Sequence, residues 1–99
     1  MRLRLSRRAA ADIDEIARFT LRTWGEAQAD RYRNGLNAFL ADMVMLAEGG
    51  FRGQASDGLP AAIRRMKYRV HFVFYQIAGD DLLVVRILHE RMDYLRHLL

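Results

Sequence analysis

A change in the spacing of apolar residues constrains the fold of this 99-residue chain more than any other feature. From about residue 7 to about residue 47, apolar side chains recur every three or four positions, which is typical of amphipathic helices. From Ile63 onward they alternate with polar residues or run together, which is typical of strands. A helical part followed by a strand part predicts an α+β fold, with helices on a mostly antiparallel sheet.

Two amphipathic helices are predicted in the first half of the chain. The apolar stripe of the first is Ala9, Ile13, Ile16, Ala17 and Thr20, which predicts a helix over about residues 7–22. Ser6 is its predicted N-cap, and Gly25 separates it from a second helix over about 26–47. A connection this short predicts an antiparallel hairpin. Gly35, inside the second helix, is interpreted as a close approach of the two helices.

Strands are predicted at the N-terminus and in the second half. Arg2–Leu5 alternates polar and apolar residues, and three further strands are expected over about 63–68, 70–77 and 82–88. Residues 49–60 carry four glycines and the one proline and are expected to form a surface loop. The tail over 91–99 is expected to form a short helix. The sequence thus predicts one domain over 1–99, with about four strands.

Charge and composition narrow the classes of function. The net charge of +4 and the sequence pI of about 10.1 favour an acidic partner: nucleic acid, an anionic membrane or an acidic protein segment. The chain has no cysteine, which excludes disulfides and thiolate metal sites. No bilayer-spanning apolar run and no secretory signal pattern is visible, so a cytoplasmic protein without membrane contact is expected.

Basic residues alternate along the middle of the predicted sheet. Arg65, Lys67, Arg69 and His71 occupy every second position. If the alternation continues through residue 71, they form a cationic strip on one face, with Arg64 and Arg86 nearby. The other face is then the core face, made of Met66, Tyr68, Val70, Phe72 and Phe74. Such a strip suits phosphate or carboxylate oxygens.

Several other polar residues are of types that a nuclease could use, but their pattern does not require catalysis. A nuclease would use His89 or Tyr75 for proton transfer and Arg65 or Arg86 to stabilise the phosphate. The histidines, which are His71, His89 and His97, lack the spacing of a metal site. Asp12, Asp14, Glu15 and Asp30 are expected to pair with Arg18, Arg31 and Arg33 on the helix surfaces. No metal, cofactor or catalytic site is therefore predicted.

The aromatic residues of the helical hairpin have two interpretations. Trp24, Tyr32 and Phe39 are mostly expected in the core. A thin two-layer domain nevertheless leaves some apolar surface uncovered, and a partner peptide could bind there.

Three segments, in this order, resemble the ParE toxin family of the ParE/RelE superfamily. They are Ala11–Ile16 with Trp24–Tyr32, then Ile63–Met66 with His71–Tyr75, and Leu88–Asp93 with His97–Leu98. The resemblance covers nearly the whole chain and implies a RelE-like α+β fold. It also implies a ParD-like antitoxin, bound in a hetero-oligomer, and inhibition of DNA gyrase. The family's usual Pro-x-x-Gly after the second helix is replaced here by Glu48-Gly49-Gly50-Phe51.

The leading hypothesis is a non-enzymatic toxin that binds gyrase and does not itself bind a specific DNA sequence. The residues predicted to contact gyrase are Arg65, Lys67, Arg86, His89, Arg91, Met92 and Asp93. Those predicted to contact the antitoxin are Trp24, Tyr32, Phe39 and Tyr75. The alternatives are a RelE-like, ribosome-dependent mRNA endonuclease, and an inactive member kept as a partner-binding module. The endonuclease would use Arg65, Lys67 and Arg86 for phosphate and Tyr75 or His89 for proton transfer.

Overall fold

The predicted element order is confirmed in a computed structural model, which describes residues 1–99. The elements are β1 (Arg2–Leu5), α1 (Arg7–Trp24), α2 (Glu26–Glu48), β2 (Gln54–Ala55), β3 (Arg64–Tyr68), β4 (His71–Ala78), β5 (Asp81–His89) and α3 (Tyr94–Leu98). The two-residue β2 lies in the glycine-rich loop and makes the sheet five-stranded rather than four-stranded. None of the helices is long and apolar enough to cross a membrane.

The sheet brings the two ends of the chain together. Its strand order is β1-β5-β4-β3-β2, with β1 parallel to β5 and every other pair antiparallel. A bulge interrupts the β4–β5 pairing, because Phe74 pairs with Arg86 whereas Tyr75 pairs with Val84. Val85 is the extra residue, and its carbonyl oxygen accepts a hydrogen bond from the Ser6 hydroxyl.

The helical hairpin covers one face of the sheet. Ser6 caps α1 as predicted, since its hydroxyl oxygen accepts a hydrogen bond from the Ala9 N–H at 3.0 Å. Gly25 ends α1 at φ 91°, a conformation that favours glycine. The core between the layers is Ala9, Leu36, Leu40, Met43 and Ala47 from the helices, and Val73, Tyr75, Leu82, Val84 and Ile87 from the sheet.

Gly35 permits a close approach, but the approaching residue belongs to the sheet. A Cβ atom on Gly35 would lie 2.0 Å from the hydroxyl oxygen of Tyr68 in β3. The Tyr68 ring also packs against Tyr32 and Phe39, with ring centroids 5.2 and 5.3 Å away. The predicted helix–helix contact at Gly35 is therefore wrong: the glycine makes room for a tyrosine from β3.

The turn between β3 and β4 changes which residues share a face. Arg69 and Val70 form a two-residue turn, with Arg69 at φ 52°, and Tyr68 pairs with His71 across it. The alternation therefore does not continue through residue 71. Arg65 and Lys67 share one face, whereas His71 lies on the helix-covered face with Tyr68. The predicted four-residue cationic strip is wrong beyond Lys67.

The opposite sheet face carries a second, smaller apolar layer. Phe74 and Leu88 are buried but stand outside the core under the hairpin. The Tyr94 ring of α3 packs on Phe74 with centroids 5.6 Å apart, and the Tyr94 hydroxyl donates to the Asp57 carbonyl oxygen at 2.7 Å. The predicted core face is wrong for Phe72 and Phe74, which belong to this side of the sheet with Lys67 and Arg65.

Candidate functional site

Arg65 and Lys67 remain the cationic part of the sheet face opposite the hairpin. The Arg65 guanidinium carbon lies 4.4 Å from the ring centroid of Phe72 and 5.5 Å from that of Tyr94. Its Nε atom is buried and has no hydrogen-bond partner. Lys67 forms an ion pair with Glu90. This face thus presents one guanidinium held between two aromatic rings and one lysine beside an acid.

The segment after β5 forms an ordered turn that exposes the predicted target-binding residues. The Met92 N–H donates to the His89 carbonyl oxygen at 2.9 Å, and the Arg91 N–H donates to His89 Nδ1 at 3.1 Å. Asp93 caps α3 by accepting from the Leu95 N–H at 3.3 Å. Met92 is 48% exposed, and Arg91 and Asp93 are exposed on either side of it. We call Arg91, Met92 and Asp93 the exposed turn.

Arg86 is bound within the fold rather than free beside Arg65. Its Nε and Nη2 atoms donate to the two carboxylate oxygens of Asp12 at 2.8 and 3.0 Å. Its Nη1 donates to the His97 carbonyl oxygen at 3.3 Å. The predicted pairing of Asp12 with a helix-surface arginine is therefore wrong. Glu15 does pair with Arg18, at 4.0 Å.

Two histidines and a tyrosine form a cluster between α2 and the strand ends. The Tyr32 hydroxyl and His71 Nδ1 are joined by a hydrogen bond, and the His71 and His89 rings lie edge to face with centroids 5.4 Å apart. Burial, together with the nearby charge of His89, lowers the pKa of His71 to about 4. Burial raises the pKa of Tyr32 to about 12. His71 and Tyr32 are thus neutral at physiological pH, and their contact joins α2 to the sheet.

The groups that a nuclease would need lie on different sides of the sheet. Tyr75 and His89 belong to the helix-covered face, where Tyr75 is 2% exposed. Arg65 and Lys67 lie on the opposite face. The Nδ1 of His89 already accepts the Arg91 N–H. The proton-transfer groups predicted for a nuclease therefore do not converge with Arg65 and Lys67.

The residues predicted to contact an antitoxin differ in their exposure. Trp24 is 69% exposed at the tip of the hairpin. Tyr32 and Phe39 are half-buried against Tyr68. Tyr75 is in the core, so its ring adds no apolar area to an exposed partner surface, and its antitoxin contact stays a prediction.

Apart from Trp24, which was predicted as an antitoxin contact, sequence reasoning missed the exposed apolar residues of the hairpin. Phe19, Leu21 and Trp24 of α1 and Met45 and Leu46 of α2 are exposed, and we call these five residues the hairpin surface. Phe19 lies off the 9-13-16-20 stripe, which was the available signal that it faces solvent. Leu3 and Leu5 are also exposed on β1, an edge strand.

Comparison with known proteins agrees with this architecture. Residues 3–94 match the family described as "ParE toxin of type II toxin-antitoxin system, parDE". The chain is 39% identical to Toxin ParE1 of Caulobacter vibrioides over 96% of this chain and 95% of that protein. It is 40% identical to Toxin ParE of Escherichia coli, over 95% of this chain and 89% of that protein.

A solved structure shares the fold. A chain from "Chromosomal ParDE TA system from P. aeruginosa" superposes with a TM-score of 0.75 at 20% identity, covering 90% of this chain and 95% of that one. Identity this low shows the fold alone, whereas the family match spans nearly the whole sequence. The protein therefore belongs to the ParE toxin family of type II toxin–antitoxin systems.

Proposed function

We propose that this toxin inhibits DNA gyrase by protein–protein binding. The observation that carries the proposal is the exposed turn, which holds the family's C-terminal Arg91-Met92-Asp93 on a backbone fixed by His89. An apolar side chain flanked by two opposite charges is a suitable centre for a protein contact. Lys67, paired with Glu90 beside the turn, and Arg65 on the same sheet face extend this surface, whereas His89 contributes by fixing the backbone of the turn. Arg86 contributes by holding α1 and α3 to β5.

We further propose that a ParD-like antitoxin neutralises the toxin by covering the hairpin surface and the outer edge of β1. Phe19, Leu21 and Trp24 lie near the connection of the hairpin and Met45 and Leu46 near its other end, so exposed apolar side chains are available to a partner along its length. The edge strand β1 has one side without a strand neighbour, which allows an added peptide strand. The complex is then a hetero-oligomer in which Trp24 is a central contact.

The endonuclease alternative has weaker support. It requires Arg65, Lys67 and Arg86 to bind phosphate while Tyr75 or His89 moves a proton. Arg86 is instead paired with Asp12, and Tyr75 and His89 face away from the other two cations. Protein binding without catalysis is therefore the function that this geometry favours.

Purified gyrase provides a direct test. We expect the full-length toxin to reduce supercoiling of relaxed plasmid and to increase the amount of cleaved DNA, and the antitoxin to reverse both effects. Unchanged supercoiling and unchanged cleavage, together with mRNA cutting that depends on translation, would exclude gyrase and support the endonuclease. The same reactions with a Met92→Ala toxin test the exposed turn.

A further inference from the structure

A positively charged cavity of about 300 Å3 lies between the loop after α2 and the β3–β4 hairpin. It is lined by Arg52, Ala61, Ala62, Arg64, Tyr75 and Ile77. No carboxylate lines it, and neither Arg52 nor Arg64 takes part in an ion pair of the fold. Two guanidinium groups therefore share a small space without an internal counter-charge.

Tyr75 adds a hydrogen-bond donor to this cavity. Tyr75 and Arg64 are direct cross-strand partners in β4 and β3, so their side chains project side by side from one sheet face. Tyr75 is 2% exposed, yet its hydroxyl makes no hydrogen bond to another protein group. Burial raises the pKa of Tyr75, so the phenol stays protonated. The hydroxyl oxygen is not enclosed by protein, so it is open to a ligand in the cavity.

The space in front of this hydroxyl depends on a glycine. A Cβ atom on Gly53 would lie 2.5 Å from the Tyr75 hydroxyl oxygen and 3.0 Å from the Arg65 carbonyl oxygen, and Gly53 has φ +68°. Arg52 is also fixed in place, because its Nη1 donates to the carbonyl oxygens of Ala47 and Phe51 at 3.0 and 3.2 Å. Its Nε and Nη2 remain for a ligand. The donors of Arg52 and Tyr75 are thus positioned before any ligand binds.

We propose that this cavity binds the side-chain carboxylate of a glutamate in a partner polypeptide. Arg52 and Arg64 donate to the two carboxylate oxygens, and the Tyr75 hydroxyl supplies a third hydrogen bond. Ala61, Ala62 and Ile77 form apolar walls that fit the two methylene groups of glutamate, a contact that a phosphate ion lacks. The net charge of +4 attracts acidic segments to the chain. This assignment holds whichever target the toxin inhibits.

Titration of the full-length, isotope-labelled protein with N-acetyl-glutamate amide, followed by NMR, tests the site. We expect saturable shifts of the Arg52 and Arg64 Nε–H signals, and none with the neutral N-acetyl-glutamine amide. Tyr75→Phe and Arg64→Gln should each weaken binding about tenfold, the loss of one charge-assisted hydrogen bond. Arg96→Gln, an exposed change on α3, should leave binding of the glutamate compound unaltered.

Tyr75→Phe keeps the test decisive if other variants fold poorly. It removes a hydroxyl that has no partner in the fold, so Tm should stay close to that of the unchanged protein. Undiminished glutamate binding by Tyr75→Phe at an unchanged Tm would overturn the proposal. Equal binding of the glutamine compound would overturn it as well. Tighter binding of inorganic phosphate than of the glutamate compound would overturn the assignment to a carboxylate.

Discussion

The Asp12 carboxylate of α1 binds the Arg86 guanidinium of β5 with two hydrogen bonds, at 2.8 and 3.0 Å. Both side chains are largely buried, at 15% and 14% exposed. Asp12 also accepts the Ile87 N–H at 2.9 Å, at a part of β5 that β1 does not reach. One aspartate thus neutralises a buried guanidinium and accepts the hydrogen bond of a backbone N–H that has no partner strand.

Asp12→Ala is expected to lower the free energy of unfolding by about 2–4 kcal/mol, because it leaves Arg86 buried without its counter-charge. Urea unfolding measures the effect. Asp14→Ala, an exposed change on the same helix, should stay within about 0.5 kcal/mol of the unchanged protein. The double variant Asp12→Ala/Arg86→Leu should recover part of the loss. Equal losses for Asp12→Ala and Asp14→Ala would contradict the importance of this pair.

Gly35→Ala should destabilise the protein even though alanine favours helices by up to about 1 kcal/mol. Its Cβ would lie 2.0 Å from the Tyr68 hydroxyl oxygen, and moving that ring disturbs its packing on Tyr32 and Phe39. We expect a net loss of about 1–3 kcal/mol by thermal or urea unfolding. Adding Tyr68→Phe to the Gly35→Ala variant should restore part of the lost stability, because it removes the hydroxyl oxygen that the new Cβ would meet. Asn37→Ala, exposed on the same helix, should not destabilise.

Stability should fall as the pH drops from about 6.5 towards 4. The pKa of His71 is about 4 in the folded protein, so the unfolded chain binds a proton more readily throughout this window. The charges nearest the ring are those of His89, Asp12 and Glu90, with the Tyr32 hydroxyl bonded to it. Because the ring is partly exposed, we expect a loss on the order of 1–2 kcal/mol.

Urea midpoints at pH 7.5 and 5 measure this effect. His71→Gln should flatten the pH dependence, whereas His97→Gln, which changes an exposed ring, should not. A His71 NMR titration with its midpoint at the ordinary pKa near 6.5 would contradict the mechanism.

Met92→Ala should raise the toxin concentration needed to inhibit gyrase about tenfold or more, because truncating an apolar contact at an interface centre removes its burial. The side chain is 48% exposed, so stability should stay within about 0.5 kcal/mol. Met45→Ala is the matched control, since Met45 is also exposed but lies on α2. Equal inhibition by the two variants would rule out the exposed turn as the gyrase contact.

Trp24→Ala should weaken antitoxin binding about tenfold or more while leaving the fold intact, because the indole is 69% exposed. Calorimetric titration with the antitoxin measures the change. The Phe39 ring packs on Tyr68, so Phe39→Ala should lower the free energy of unfolding more than it weakens antitoxin binding. Met92→Ala should bind the antitoxin normally. Full antitoxin affinity in Trp24→Ala would place the contact elsewhere.

Local patterns predicted the elements of this fold, and long-range geometry explains what they missed. The apolar stripe beginning at Ala9 was sufficient to predict α1, and Ser6 was sufficient to predict where α1 begins. Both signals depend only on residues that are close in sequence. The turn at Arg69 has a left-handed backbone without a glycine, so nothing local indicated that His71 would change face. Asp12 pairs with a residue 74 positions away, which no helix pattern reveals.

The candidate site was predicted less completely for the same reason. The residues of the exposed turn were identified from their resemblance to a family motif, and their exposure agrees with a role in binding. Tyr75 was assigned to a surface because its burial depends on helix residues far away in sequence, such as Leu36. The cavity beside Tyr75 depends on Gly53 and Arg52 meeting β3 and β4, which only the folded chain brings together.

The pairing of β1 with β5 has a consequence for how the toxin is made. Leu3 pairs with Leu82. During translation, β1 therefore cannot pair until β5, which is made much later, has also left the ribosome. The helical hairpin, whose contacts are local, can form early, whereas closing the sheet requires a loop of most of the chain and is slow. The hairpin surface should therefore be accessible to an antitoxin during translation, before the exposed turn has been synthesised. With the antitoxin contact proposed above, neutralisation would begin on the nascent chain, before the exposed turn exists.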